Sequence, residues 1–166
     1  MSHANAGEVP YRNKGKVEMP SFGKLFMESG GRSVSYKGKI IQMVDVLRLA
    51  AGQNLVVKFE SASSDWRQGV YLTTDGVFEV NDQIMKKSVV LWQDTAPVEV
   101  LLRVQTKKGE CRVRNVWDRG NGVMDSWHNG AAMIVENALE GRRYRCNDGR
   151  ADEDFDDLVF SIRIVG

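Results

Sequence analysis

The clearest pattern along this chain is an alternation of apolar and polar residues with a period of two. From Val98 to Val104 every second residue is valine or leucine, and Glu99 and Arg103 lie between them. The C-terminal run from Leu158 to Ile164 alternates in the same way. Successive side chains of a strand point to opposite faces of a sheet, so both runs are predicted to be half-buried strands.

Similar short runs recur along most of the chain and are separated by turn residues. Asp75-Gly76 predicts a hairpin between two of these runs, and Lys107-Lys108-Gly109 predicts a turn before another. About nine or ten short strands with regular turns predict an all-β domain, an antiparallel β-sandwich of the jelly-roll type. The remaining predicted strands are 54–60, 69–73, 76–80, 87–93, 110–116, 132–136 and 142–146.

Residues 39–51 fit neither the period of two of a strand nor the 3.6-residue period of a helix well. Their apolar residues lie closer to a helical spacing than to strict alternation, which breaks at Asp45. The flanking segments are β-like, so we predict a strand here, with one amphipathic helix as the alternative. The apolar residues concerned are Ile40, Met43, Val44, Leu47 and Ala51.

The first twenty residues differ from the rest of the chain. Residues 1–20 have no periodicity and contain Pro10 and Pro20, so we expect a polar, loosely ordered tail before a single domain at 21–166. No run approaches the about 18 apolar residues of a membrane-spanning helix. The tail also lacks the apolar segment of a secretory signal. A soluble, cytoplasmic protein without membrane contact is therefore expected.

The net charge argues against nucleic-acid binding, and the cysteine spacing argues against a cysteine metal site. The 166 residues carry a net charge of +1, so no overall positive field favours nucleic acid, which we do not expect as a partner. Cys111 and Cys146 have no metal-binding spacing, and buried free thiols are predicted. A disulfide between them stays an alternative, because sequence does not show proximity. The oligomeric state is also open, with a homo-oligomer as one alternative.

The most unusual segment is residues 147–157, called here the acidic loop. Six of its residues are acidic and only Arg150 is basic, which gives a local charge of −5. Such repulsion requires a positive neighbour, either arginines or a hard cation that takes about 6–8 oxygen ligands. Calcium is therefore the predicted cofactor. Its predicted ligands are Asp148, Asp152, Asp154 and Asp156.

A second polar segment, residues 118–130, is called here the glycine loop. Gly120 and Gly122 allow tight backbone curvature, but the spacing of an EF-hand is absent. Ordinary turns capped by Asp and Asn side chains are the simpler interpretation of this segment. A sugar site needs an aromatic face beside carboxylates or amides. The residues that we predict to contact such a ligand are Trp66, Asp125, Trp127, His128 and Asn129; Trp92 and Trp117 are predicted to be core.

The run from Asn147 to Ile164, with Asn147-Asp148 at its start and a closing alternating strand, resembles the last loop and strand of the small bacterial galactophilic lectins. The resemblance implies a jelly-roll-like sandwich that binds sugar through calcium, with Asp148, Asp156 and the backbone of Asp152 as ligands. The chain departs from that family at Phe155, where the lectins have an asparagine that contacts metal and sugar. The Asp-Phe-Asp-Asp-Leu run also resembles the acidic strand of other bacterial calcium-binding β-domains.

Two alternatives to a binding module compete with it. Arg112 and Arg114, and later Arg143 and Arg145, alternate on predicted strands and could form a basic stripe that neutralises the acidic loop. That arrangement would suit a structural or protein-interaction domain without metal. Catalytic motifs are absent, so an enzyme is not expected and no catalytic residue is assigned. The third hypothesis is a glycan hydrolase that uses a carboxylate pair such as Asp118 and Asp125.

The sequence therefore predicts a non-enzymatic module for a carbohydrate or other small polar ligand. In this hypothesis calcium orders the acidic loop, which meets the glycine loop at one end of the domain.

Overall fold

The computed structural model of this protein describes residues 11–13, 16–18, 21–126, 130–150 and 152–166. Antiparallel strands dominate it. The elements in chain order are β1 (Tyr11–Asn13), β2 (Lys16–Glu18), α1 (Phe22–Glu28), β3 (Val34–Tyr36), β4 (Lys39–Gln42), β5 (Asp45–Arg48), β6 (Asn54–Ala62), β7 (Arg67–Val80), β8 (Gln83–Trp92), β9 (Glu99–Gln105), β10 (Glu110–Asp118), β11 (Ala132–Ala138), β12 (Gly141–Asn147) and β13 (Leu158–Val165).

Eleven of these strands form one antiparallel sheet in the order β3–β4–β11–β12–β13–β6–β9–β7–β10–β5, and β8 pairs with the other edge of β7. The sheet curls like a half-barrel, so that Asp45 of the terminal strand β5 reaches the side chains of Arg142 and Tyr144 on β12. The predicted all-β, antiparallel class is confirmed. Within the predicted tail, β1 and β2 pair with each other as a separate two-stranded antiparallel sheet.

The inward faces of the strands form the main core. On β9, Val100, Leu102 and Val104 are buried whereas Glu99 and Arg103 are exposed, as the alternation predicts. Burial of one such side chain stabilises the fold by about 1.5–3 kcal/mol. No helix among the described residues is long and apolar enough to cross a membrane.

A smaller core lies under α1, an element that the sequence analysis did not predict. Ser21 caps the helix by accepting a hydrogen bond from the Lys24 amide at 3.3 Å. Phe22, Leu25 and Phe26 then lie on one helical face and are buried. They pack with residues of β3, β4 and β11 and with a residue of the acidic loop. These partners include Tyr36, Ile41, Ala132, Ile134 and Phe155.

The predicted hairpin at Asp75-Gly76 is wrong, because both residues lie inside the continuous strand β7. Asp75 accepts hydrogen bonds from the Thr106 hydroxyl and the Lys107 amide instead of closing a turn. A β-carbon on Gly76 would lie 1.8 Å from the carbonyl oxygen of Gln105, so the glycine allows the close approach of β9. The turn that joins β7 to β8 is formed six residues later by Asn81-Asp82, both at positive φ.

Three other sequence predictions are confirmed. Residues 39–51 contain the strands β4 and β5, not a helix. Residues 106–109 form the turn between β9 and β10. Cys111 and Cys146 are free and buried, and burial raises the pKa of the Cys111 thiol to about 12, so this thiol is unreactive at neutral pH.

Candidate functional site

The acidic loop and the glycine loop meet at Trp117, near the end of β10. Trp117 is 1% exposed, which confirms its predicted place in the core. Its backbone exchanges two hydrogen bonds with Asp125 of the glycine loop, at 3.1 and 2.8 Å. Its indole ring covers Gly149 of the acidic loop so closely that a β-carbon there would lie 2.9 Å from the ring. Both loops therefore contact Trp117.

The shape of the acidic loop is set by the buried side chain of Asn147. Its amide group donates to the carbonyl oxygen of Asp152 at 2.8 Å and accepts from the amide of Phe155 at 2.6 Å. The Asn115 side chain on β10 donates to the Asn147 carbonyl at 2.8 Å. Phe155, at a φ of +53°, then enters the small core beneath α1. One asparagine thus organises the loop from within.

Asp148 connects the acidic loop to the start of β7. Its side chain is fully buried. Its Oδ2 atom accepts from the Ser64 hydroxyl at 2.6 Å and from Gln68 Nε2 at 3.0 Å, while Oδ1 accepts from the Arg150 amide at 3.1 Å. Three of the about four acceptor positions of this carboxylate are therefore filled by protein donors. Asp148, a predicted calcium ligand, is used mainly to hold the loop.

Asp157 lies directly behind Asp148 and is only 5% exposed. It accepts a hydrogen bond from the Asp148 backbone amide at 2.9 Å. Burial, followed by the negative charges of Asp148 and Asp152, raises the pKa of Asp157 to about 7 and outweighs that hydrogen bond. The native carboxyl group therefore keeps its proton at a pH where the unfolded chain has lost it.

We expect the substitution Asp157→Asn to flatten the pH dependence of stability. Between about pH 4 and 7 the native state binds one more proton here than the unfolded state, so stability falls as pH rises, by up to about 1.4 kcal/mol per pH unit. The amide oxygen of the substituted side chain can still accept from Asp148. Urea unfolding at pH 5, 6, 7 and 8 in chelator should show a flatter profile than the unsubstituted protein and higher stability at pH 8.

The exposed Glu99→Gln variant is the control for that experiment and should keep the original slope. Equal slopes in the Asp157→Asn variant and the unsubstituted protein would contradict the assignment of this proton to Asp157.

One carboxylate oxygen of Asp152 remains without a donor from the described part of the chain. Its Oδ1 atom is buried and has no hydrogen-bond partner among the described residues. Burial, then the charges of Asp154 and Asp148, with a smaller contribution from Asp156, raise the pKa of this carboxyl group. Asp154 and Asp156 are exposed at the loop surface. Hydrogen bonds therefore stabilise the loop internally, and Lys37 pairs with Glu153 at 3.0 Å. Asp154 and Asp156 have no ion pair among the described residues.

The oxygen atoms in and beside the acidic loop suit a hard cation only in part. The described residues contain no group of three or more His, Cys, Asp and Glu side chains arranged to hold a metal ion. Calcium also takes amide and carbonyl oxygens. Gln68 Oε1 is such an oxygen, buried beside Asp148 and without a hydrogen-bond donor in the part of the chain that is described. Asp152 and Gln68 each have a buried oxygen of the type that a hard cation binds, whereas Asp148 has little free capacity.

The predicted ligand-binding residues are only partly described. Trp66 is half-buried, and the guanidinium group of Arg150 stacks on its ring at 4.6 Å. Asp125 accepts from Arg119 Nε at 3.1 Å. Trp66 and Arg150 thus place an aromatic face beside the acidic loop. The predictions for Trp127, His128 and Asn129 lie outside the described residues.

Asp118 organises the described part of the glycine loop. Its Oδ1 atom accepts from the amides of Gly120, Asn121 and Gly122 at 2.8, 3.1 and 3.2 Å. The interpretation of this segment as capped turns is confirmed. The Asp118 carboxylate is therefore used by the backbone amides of its own loop, and Asp125 binds Arg119. Both carboxylates of the pair proposed for a hydrolase thus stabilise the loop.

The arginines that could neutralise the acidic loop are placed elsewhere. Arg143 pairs with Glu60 at 3.1 Å and with Glu136 at 3.3 Å, and Arg145 Nη2 donates to Glu136 at 3.4 Å. Arg112 and Arg114 lie on β10, which does not pair with β12. The predicted basic stripe across neighbouring strands is therefore wrong.

Two residues that hold the acidic loop in place were not predicted from the sequence. Ser64 and Gln68 hold the Asp148 carboxylate, and they lie more than 75 residues before it in the chain. Nothing in their local sequence distinguishes them from ordinary polar residues at a strand end. Only the pairing of β7 with β10, which brings Gln68 opposite Trp117, places them beside the loop.

Comparison of the chain with protein-family models, with curated proteins and with solved structures finds no match.

Proposed function

We propose that this protein is a non-enzymatic binding module for a carbohydrate or another small polar ligand, with a calcium ion at the acidic loop. In this proposal the curled sheet is a jelly-roll-like sandwich. Its binding end is the surface where residues 64–68, the glycine loop and the acidic loop meet around Trp117. The observation that carries the proposal is the buried Oδ1 atom of Asp152, which has no hydrogen-bond partner in the described part of the chain and lies among carboxylates that raise the pKa of Asp152.

We expect Asp152, Asp154 and Asp156 to supply oxygens to the ion and to converge on it when it binds, because the described residues form no preassembled metal-binding group. A bound calcium ion would supply positive charge that cancels the repulsion among these carboxylates and would offer coordination positions to ligand hydroxyl groups. Asp148 serves instead as the internal anchor of the loop, since Ser64 and Gln68 occupy its Oδ2 atom. This division of roles revises the ligand set that the lectin resemblance implies.

The ligand side of the proposal rests on the aromatic surface beside the loop. Trp66 carries the guanidinium group of Arg150, and Arg150 also pairs with Asp65 at 3.5 Å. Carboxylate and guanidinium groups around an aromatic ring suit the alternating apolar and hydroxyl surfaces of a sugar ring, and a sugar that stacks on the face now covered by Arg150 would displace its guanidinium group. Asp125 lies in the adjoining loop and would accept hydroxyl hydrogen bonds.

Thermal unfolding with calcium and with excess chelator tests the metal part of this proposal. Calcium at about 100 times its dissociation constant stabilises the native state by about 2.7 kcal/mol. For a chain of this length, the midpoint should then rise by roughly 5–10 °C. Magnesium at the same ionic strength is the cation control. Equal midpoints in calcium and chelator would contradict the calcium site and favour an interaction module without metal.

Variants locate the effect within the loop. Asp152→Asn and Asp156→Asn should each abolish most of the calcium-dependent shift. Asp94→Asn removes a comparably exposed carboxylate, paired with Arg67 outside the loop, and should leave the shift unchanged. A glycan screen in calcium and in chelator then tests the ligand, which should bind only with calcium present and bind weakly to the Trp66→Ala variant.

A further inference from the structure

A second concave surface lies far from the acidic loop, at the other end of β10. It is a groove of about 730 Å³ between the turn at 49–54 and the turn at 106–109, and its walls include side chains of β7, β8 and β9. The nine residues of β10 separate it from the Trp117 end by about 30 Å. Its volume lies within the range typical of small-molecule sites, about 300–1,000 Å³. The calcium proposal makes no use of it.

The groove carries excess positive charge. Arg103, Lys107 and Lys108 line it together with one acidic residue, Glu79, and the Asp75 carboxylate lies at the backbone of the lysine turn. Eight other arginines have a carboxylate within 3.8 Å. Among the described residues, none of the three groove cations makes such a pair, although Glu79 lies opposite Arg103 in the sheet register. These cations are therefore available to an anionic group from outside the chain.

The turn that presents the two lysines is rigidly held. Asp75 accepts from the Thr106 hydroxyl at 2.6 Å and from the amides of Lys107 and Lys108 at 2.9 and 3.0 Å. The Thr106 hydroxyl bond, followed by the Lys107 amide, lowers the pKa of Asp75. This carboxylate is directed to the backbone of the turn, and no ion pair with either lysine side chain is formed. The opposite wall is fixed by a bond from the Ala50 amide to Gln53 Oε1 at 2.8 Å.

The groove also has an apolar wall. Ile84 on β8 lines it and is 56% exposed, and Val77 of β7 lies in the same surface. Ile84 and Val77 thus give the groove an apolar contact surface beside its cations. The combination suits a compact molecule with an anionic group at one end and a carbon skeleton at the other.

We infer that this groove binds a small anionic molecule, in which a phosphate or carboxylate group is carried on a compact body such as a sugar ring. Arg103 would take the anionic group through the two parallel donors of its guanidinium, the geometry that matches carboxylate and phosphate oxygens. Lys107 and Lys108 would add charge from the fixed turn. Ile84 and Val77 would contact the body of the ligand. The site needs no metal and is independent of the acidic loop.

Titration calorimetry with defined probes tests this inference. The probes are glucose 6-phosphate, glucuronate and glucose, used in chelator at constant ionic strength so that neither calcium nor salt differs between them. We expect saturable binding of one or both anionic probes at one site per chain, and at least tenfold weaker binding of glucose. Tighter binding of glucose 6-phosphate would identify phosphate as the anionic group, and tighter binding of glucuronate would identify carboxylate.

Matched variants assign the binding to the groove. Arg103→Gln and Lys108→Gln should each weaken binding of the preferred probe about tenfold or more, with unchanged thermal unfolding as the check on folding. Lys39→Gln removes an exposed cation on the distant strand β4 and should have no effect. Absence of saturable binding for both anionic probes, or equal affinity in the Arg103→Gln variant, would overturn the inference. Neither result depends on whether calcium binds the acidic loop.

Discussion

Replacement of Asp148 by alanine is expected to lower the free energy of unfolding by about 3–5 kcal/mol, even in excess chelator. The carboxylate is fully buried and accepts hydrogen bonds from Ser64, Gln68 and Arg150. A hydrogen bond to a charged group contributes about 1.5–3 kcal/mol, and relief of the repulsion between Asp148 and Asp152 offsets part of the loss. The acidic loop should lose its attachment to β7.

Urea unfolding of the Asp148→Ala variant in chelator measures this effect. Asp65→Ala is the matched control, because Asp65 lies close to Ser64 but is exposed, and its loss should cost no more than about 0.5 kcal/mol. If Asp148→Ala instead left stability in chelator unchanged and removed only the response to calcium, Asp148 would be a metal ligand rather than the anchor of the loop.

The second large effect is expected at the buried carboxylate of Asp45. Arg142 Nη1 donates to it at 2.6 Å and the Tyr144 hydroxyl at 2.7 Å, which joins the terminal strand β5 to β12. The substitution Arg142→Met leaves this charge without its cation in the interior. We expect a loss of about 3 kcal/mol, at the lower end for broken buried pairs because Arg142 is partly exposed.

A double-mutant cycle separates the charge from the packing. Combining Asp45→Asn with Arg142→Met should recover about 1 kcal/mol or more relative to Arg142→Met alone, since no unpaired charge remains. Arg163→Met, which removes an exposed pair with Glu99, should cost less than about 1 kcal/mol. Equal losses for Arg142→Met and Arg163→Met in urea unfolding would contradict the importance of the buried pair.

The fold class could be predicted from the sequence because burial on one face of a sheet requires alternation. Val100, Leu102 and Val104 show this directly, since each is buried and each lies two residues from the next. The curl of the sheet could not be predicted in this way. It depends on contacts such as Asp45 with Arg142, which lie 97 residues apart in the chain.

Predictions of individual turns and helices were wrong where a tertiary contact overrode the conformation that the local sequence favours. Asp75-Gly76 has the composition of a hairpin turn, but Thr106 and Lys107 bind the aspartate and β9 approaches the glycine, so β7 continues. The short helix α1 was missed although Ser21 and the spacing of its phenylalanines are helical features. Seven residues are too few for periodicity alone to identify.

The acidic loop was recognised from its charge, but the roles of its residues were not. Composition makes Asp148, Asp152, Asp154 and Asp156 equivalent, whereas burial separates them into one anchored carboxylate and three at or near the surface. The groove at Arg103 had no sequence signal. Its cations come from a strand and a turn, and only the positions of the surrounding carboxylates show that they are unpaired.

The most direct test of the proposed function is calcium binding measured by isothermal titration calorimetry on the full chain. We predict one ion per chain, and no measurable binding when Asp152 and Asp156 are both replaced by asparagine in a protein that still unfolds cooperatively. Absence of calcium binding to the unsubstituted chain, or undiminished binding to the doubly substituted one, would contradict a calcium site at the acidic loop.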